Sequence, residues 1–376
     1  MTLPASRRRF LQLAGAGLAV AGSGLPGLGY AQTAPAAAPA SPRADGPVLL
    51  NFNECPYGPS AAAQSAARDS IARCGRYRFE LAAQVRDAFV ELSGVSADHL
   101  RLYPGSSEPL NRAAAIWTGP QQGLVVADPT FEAIGDVAAA RGAHVSRVPL
   151  RSDGAHDVRA MVAAAHARPT GLMYVCNPNN PTGSISPPAE LAWLLASKPA
   201  GTRVLVDEAY LQYSDQPSLI AQVAERDDLI VLRTFSKLYG MAGLRLGAAA
   251  AHPDRLRELG SLGDNPLPVP ALAAALASLH DPQLVPQRRL QNAKIRQATI
   301  AWLGKRGFSC LPSEANCFVV DVQRDGAAFA RAMAAQGVVI GRSWPIWPQR
   351  VRVTVGTEEE MAAFRAAFAQ VAGVPS

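Results

Sequence analysis

From about Leu100 onward, short apolar runs alternate with longer stretches that are Ala-rich or amphipathic at helical spacing. The runs are LRLYPG, GLVVADP, HVSRVPL, GLMYVCNP, TRVLVDEAY, DLIVLRTFSK and LRLGAAAA. Strands separated by helices predict an α/β fold, with a mostly parallel sheet covered on both faces. Several runs end in polar or Gly/Pro motifs: Gly105, Asp128-Pro129, Asn177 to Gly183, Asp207-Glu208 and Ser236-Lys237. In open α/β sheets that carboxyl edge is where ligands bind, so one site assembled from several strand ends is expected.

Beyond Pro270 the pattern changes. A long helical stretch runs through about Arg306, strands follow near Cys317 to Asp321 and Arg350 to Val355, and a closing helix starts at Thr357. This predicts a smaller α+β lobe that packs with the segment around Asn51 to Ser60 and places the site between lobes. The expected organisation is a large domain over 76–269, a connecting helix and small domain over 270–376, and an N-terminal segment, 47–75, packing on the small domain.

Composition adds bulk and removes partners. The chain has 376 residues, 48% hydrophobic and 18% charged, enough for a large core. Its formal charge is +6, but residues 1–31 carry three arginines and no acid, so the excess elsewhere is small and dispersed and gives no footprint for nucleic acid. Those first residues, with Arg7-Arg8-Arg9-Phe10-Leu11 ahead of a glycine-rich apolar stretch ending at Ala31, resemble a twin-arginine export signal. The resemblance implies passage through the twin-arginine translocase, cleavage after Ala31 and a periplasmic or extracellular protein. Its glycines and Pro26 make a poor spanning helix, so no membrane association is expected after cleavage. An Ala/Pro-rich linker occupies 32–46.

The five cysteines contain no C-x-x-C, and the six histidines no H-E-x-x-H, so neither a disulfide framework nor a metal site is indicated. Cys310 and Cys317 are the one pair that could close in an oxidising compartment.

Candidate chemistry begins with a rarity. Lysine supplies only four of the 36 basic residues, and one of them, Lys237, sits among small and apolar residues at a sheet edge. A neutral amine attacks carbonyls, which a guanidinium essentially does not. Asp207 ends the apolar strand RVLV, where a buried acid needs a cationic or N–H partner. Asn180, Tyr210, Ser236 and Arg245 complete the edge. Pyridoxal 5′-phosphate satisfies them all: its aldehyde needs a lysine, its pyridinium N–H a carboxylate, its phenolic oxygen donors, and its phosphate Ser, Arg and backbone N–H groups.

The motifs Asn180-Pro-Thr-Gly, Asp207-x-x-Tyr210, Ser236-Lys237 and Gly243-Leu-Arg245, in that order, resemble the fold type I, class I/II aminotransferases. NECPYGP (Asn53 to Pro59), Arg76-Tyr77, Gly105-Ser-Ser-Glu108, Asp128-Pro-Thr-Phe131 and RVTVGTEEE (Arg352 to Glu360) are most similar to the histidinol-phosphate aminotransferase branch. The resemblance implies a large domain with a mostly parallel sheet between helices, a smaller α+β domain, and a homodimer.

It also implies roles. Lys237 would join the cofactor aldehyde and move a proton at the substrate Cα, while Asp207 would keep the ring nitrogen protonated. Asn180 and Tyr210 would bind the phenolic oxygen, and Phe131 would stack on the ring. Ser106, Ser107, Ser236 and Arg245 would hold the phosphate, with Tyr77 reaching across from a second subunit. Arg352 would clamp the substrate carboxylate and Tyr57 would line the substrate side chain.

The chain departs from the family at Ser107 (usually Asp), Phe131 (commonly Tyr) and Cys55 (often Asn). In VVIGRSWPIWPQR, Val338 to Arg350, an extra residue precedes Arg342, which stands where the family's substrate-phosphate arginine is found. Arg342 binding an anion and Trp344 with Trp347 forming an aromatic wall are competing expectations. The implied reaction moves an amino group from an L-amino acid or amino-alcohol phosphate to a 2-oxo acid such as 2-oxoglutarate. A decarboxylase, racemase-like enzyme or oxidase is the alternative outcome on the same scaffold.

Overall fold

A computed structural model describes residues 46–375, so the signal-like 1–31 and nearly all of the linker lie outside the described residues. The chain enters through β1 (Val48–Leu50), then lays down β2 (Leu100–Tyr103), β3 (Gly123–Asp128), β4 (Val145–Pro149), β5 (Thr170–Cys176), β6 (Arg203–Asp207), β7 (Leu229–Thr234) and β8 (Gly247–Ala251). Three more follow: β9 (Cys317–Asp321), β10 (Val338–Ile340) and β11 (Arg350–Thr354). Strands β2 to β8 form one sheet in the order β2-β8-β7-β6-β5-β3-β4. Only β8 runs against its neighbours, so the carboxyl ends of the other six share one edge.

Side-chain parity explains the layers. Met173 and Val175 of β5, Val204 and Val206 of β6, Val231 of β7 and Ala248 and Ala250 of β8 enter one core, shared with the helices Phe79–Ser93, Val158–Ala167, Pro188–Ser197 and Val269–Leu279. The alternate residues Leu172, Tyr174, Leu205, Ile230, Leu232, Ala249 and Ala251 enter the other, under the helices Ser107–Trp117, Ala133–Ala140 and Pro253–Gly260. Because both faces are buried, the inner strands β3, β5, β6, β7 and β8 are apolar at nearly every position, which produces the runs seen in the sequence. Fully burying each Leu or Val contributes about 1.5–3 kcal/mol.

A third core gathers β9, β11, β10 and β1 around Phe318, Phe364 and Phe368. β9 and β11 pair antiparallel, and β1 adds in parallel to β10. The closing helix, Glu358–Ala372, starts with a capping box in which Thr357 and Glu360 satisfy each other's backbone N–H.

Two expectations need correction. The helical stretch beyond Pro270 is two helices, Val269–Leu279 and Leu284–Gly304. Pro282 separates them because it lacks an N–H and disfavours helix at Asp281. The first of these belongs to the sheet's core. Likewise the segment 47–75 does not pack as one piece: β1 joins β10, whereas the helix Ala61–Ser70 buries Ala63 in the sheet's core against Val269–Leu279.

Candidate active site

Strand ends and two loops bring most of the candidate residues into one cleft. Asp207 closes β6 and is buried. Its Oδ2 accepts the Tyr174 hydroxyl at 3.1 Å and its Oδ1 accepts the Ala209 N–H at 3.1 Å. Burial pushes its proton affinity up to about 6 despite those two donors. Lys237 follows β7. Its Nζ donates to the Phe52 carbonyl at 3.2 Å and lies 5.6 Å from the Tyr210 ring centroid. Burial first, then the nearby Arg352 charge, pulls its amine down to about 8. Both groups are therefore shifted toward neutrality, a state that suits a nucleophilic amine.

Tyr210 is buried, and its hydroxyl oxygen accepts from Asn53 Nδ2 at 3.2 Å. Arg352, on β11, donates to Asn180 Oδ1 at 2.7 Å and to the Asn51 carbonyl, which ties the C-terminal strand to both the N-terminal segment and the Asn177–Gly183 loop. Its Nε is buried without a partner.

A cradle lies beside this pair. Ser106 and Ser107 begin the helix Ser107–Trp117, and Ser106 makes no side-chain capping bond. Arg245 takes the left-handed conformation (φ 62°), and its guanidinium donates to Ser236 Oγ at 3.3 Å and to the Ala242 carbonyl at 2.9 Å. Two glycines permit the arrangement. A Cβ on Gly105 would lie 2.1 Å from the Arg245 guanidinium, and one on Gly247 would lie 2.4 Å from the Ser106 nitrogen. Helix-terminal amides, hydroxyls and an arginine together are donors for an anion such as phosphate. Across the cleft, a buried carboxylate bonded to neutral donors suits a buried N–H cation. These donors fit pyridoxal 5′-phosphate.

Phe131 follows β3, partly buried against the sheet's second core. Tyr57 is half-buried and lines a narrow recess with Cys55, Tyr213 and Arg288. Tyr77 is not in this cleft: it is 65% exposed and stacks on Phe79 at 5.7 Å. Arg342 is paired with Glu132, and its guanidinium carbon lies 5.0 Å from the Trp344 ring centroid. Trp344 is buried, so it floors Arg342 instead of standing as an open wall. Cys310 and Cys317 are free thiols, and Cys317 Sγ accepts from Asn53 at 3.2 Å.

Sequence reasoning missed several positioning residues. Asn53 sits in the left-handed region (φ 54°), which Asn tolerates, with its N–H on Thr354 Oγ1 at 2.9 Å and its carbonyl accepting from Asn316 at 3.0 Å. Thr130 donates to Asn179 Oδ1 at 2.8 Å, joining the loop that carries Phe131 to the one that carries Asn180. Tyr174 was hidden inside an apolar run.

A lysine and a carboxylate on neighbouring parallel strand ends, with a phosphate cradle at a helix N-terminus, define a pyridoxal-phosphate enzyme of fold type I. The model of the family "Aminotransferase class I and II" matches residues 45–368, and the chain belongs to that family; pyridoxal 5′-phosphate is its cofactor.

Within it, the chain is 36% identical to the histidinol-phosphate aminotransferase of Symbiobacterium thermophilum, covering 84% of this chain and 88% of that one. It is 31% identical to that of Bacillus subtilis, over 86% and 91%. A crystal structure from Erwinia carotovora atroseptica, provisionally named a histidinol-phosphate aminotransferase, superposes with a TM-score of 0.84 at 31% identity, over 89% and 98%. The Sinorhizobium meliloti enzyme solved with pyridoxal 5′-phosphate shares the fold, with a TM-score of 0.82 at 24% identity, over 87% and 91%.

Proposed function

We propose that this aminotransferase moves an amino group from a histidinol-phosphate-like donor to a 2-oxo acid such as 2-oxoglutarate. The observation that carries the reading is the Asp207–Lys237 pair, a buried carboxylate bonded only to neutral donors beside an amine held near neutrality. Bound there, pyridoxal phosphate supplies an electron sink for the bond broken at the donor Cα. Lys237 Nζ takes the Cα proton and returns it, and its depressed proton affinity keeps it a competent base near pH 8. Asp207 holds the ring N–H.

Asn180 and Tyr210 bind the phenolic oxygen. Because Asn53 already donates to the Tyr210 oxygen, the tyrosine proton is left free to give. Phe131 stacks on the ring, while Ser106, Ser107, Ser236 and Arg245 hold the phosphate. Arg352 clamps the donor carboxylate or its equivalent polar end, its unpartnered Nε marking unused capacity. Tyr57 lines the donor side chain, and Arg342 meets a distal anion. One duty lies outside a single chain: Tyr77 serves a partner's phosphate site in a homodimer, a reading supported by the exposure of Phe52, Ile71, Tyr77, Phe79 and Leu262, each more than half open. Export by the twin-arginine route to the periplasm or beyond is supported by the arginines at 7–9.

Single-turnover absorbance of the cofactor-loaded protein with histidinol phosphate, phenylalanine and glutamate tests the reaction, with the keto product and the new amino acid measured. Conversion of the cofactor to its amine form, reversed by 2-oxoglutarate, is expected. Carbon dioxide release or racemisation without amino transfer would overturn it in favour of the decarboxylase or racemase outcome.

A further inference from the structure

Glu132 has no part in the chemistry above. It follows Phe131 at the carboxyl end of β3, immediately before the helix Ala133–Ala140, and its carboxylate pairs with Arg342. Arg342 comes from the opposite side, in the loop between β10 and β11. Its carbonyl accepts the Arg352 N–H at 3.3 Å, so it is backbone neighbour to the proposed carboxylate clamp. Gly341 makes that approach possible, since a Cβ there would lie 3.2 Å from the Arg352 Cβ and 3.3 Å from its Nε. With Trp344 beneath it and Glu132 beside it, the guanidinium is held between the end of β3 and the β10–β11 loop.

The pair is nonetheless reversible. The Arg342 and Glu132 side chains are 41% and 39% exposed, which leaves water able to compete for both. The proposed donor and 2-oxoglutarate each carry a distal anion, and the site holds neither between the two half-reactions. Arg342 needs a counter-ion while no such anion is present, and an internal carboxylate provides it.

We propose that Glu132 is a specificity-determining residue of this site, the resident counter-ion of Arg342, which a substrate with a distal anion must displace. Glu132 thereby weakens binding of phosphate- or carboxylate-tailed substrates relative to uncharged ones. This rests on the proposed aminotransferase reading and deepens it by naming the residue that sets the charge preference of the donor site.

L-histidinol phosphate and L-histidinol differ only in the distal anion, and the ratio of their KM values isolates its contribution. Glu132→Gln removes the charge and keeps the shape, and should lower the ratio of histidinol-phosphate KM to histidinol KM by roughly two- to fivefold, the span of an exposed ion pair. In an Arg342→Ala background the same substitution should leave that ratio where Arg342→Ala alone sets it. An unchanged ratio in Glu132→Gln, or an equal shift without Arg342, would overturn the assignment while wild-type turnover still stood. If the wild type turned over neither compound, the donor reading itself would fall, and this assignment with it.

Discussion

Asp207 and Lys237 sit in surroundings that disfavour their charges, and that disagreement is measurable without any substrate. In the cofactor-free protein Asp207 titrates near 6 against an unfolded value near 3.9, so the native state binds the extra proton between those values. Stability therefore falls as pH rises from about 4 to about 6, by up to about 3 kcal/mol, and the loss persists above that. Lys237 acts in its own window: its folded value near 8 is depressed, so stability recovers as pH rises from about 8 toward the unfolded value near 10.4. Asp207→Asn should abolish the acid-side loss in urea melts of the cofactor-free protein, yet slow amino transfer by at least about 100-fold, near 2.7 kcal/mol. A variant that was no more stable at pH 7 would contradict the burial argument. Lys237→Ala should lose both turnover and the borohydride-fixed cofactor, and a fixed adduct found on Lys198, Lys294 or Lys305 would reject it. These two residues were legible in the sequence because a rare lysine and a strand-end acid are conspicuous by type. Tyr174 and Thr130 were not: a tyrosine in an apolar run reads as core, and a threonine beside a proline reads as turn.

Elements were legible in proportion to their length and to the burial of both their faces. Strands β3, β5, β6 and β7 announced themselves as apolar runs, whereas β1 and β10, three residues each, are too short to show any period. The helix break at Pro282 was visible as a proline but masked by helix formers on both sides. How elements pack was less visible still. The run LRLGAAAA reads as a strand, and only the sheet shows why its alanines are small: β8 lies fully buried between β2 and β7. Its first residue, Gly247, presses against the Ser106 amide. Gly247→Ala should displace the start of the helix Ser107–Trp117 and raise the dissociation constant for pyridoxal phosphate at least about tenfold, equivalent to 1.4 kcal/mol. Absorbance titration reads this directly, and an unaltered constant would remove the phosphate from that helix end.

At the scale of the whole molecule, the site draws on both ends of the described chain. Exposed Tyr77 and Phe79 should be covered by a second copy, so Phe79→Asp is expected to shift sedimentation toward monomer and weaken cofactor retention together. A monomer that held its cofactor undiminished would show that Tyr77 serves no partner. The sequence pattern could propose that the N-terminal segment packs on the smaller lobe but not which strand it pairs with, because nothing local in Val48 to Leu50 specifies its partner. That pairing has a consequence during synthesis. Val48 must wait for Val338, roughly 290 residues behind it, and Asn51 for Arg352. At about 5–20 residues per second the wait is roughly 15–60 s, during which the sheet and its flanking helices can fold while the front strand and the Lys237 pocket stay unsealed. A ribosome stalled before residue 338 would hold a chain whose lysine is built but open to water, so catalytic competence arrives late and all at once, with the last tenth of the polypeptide.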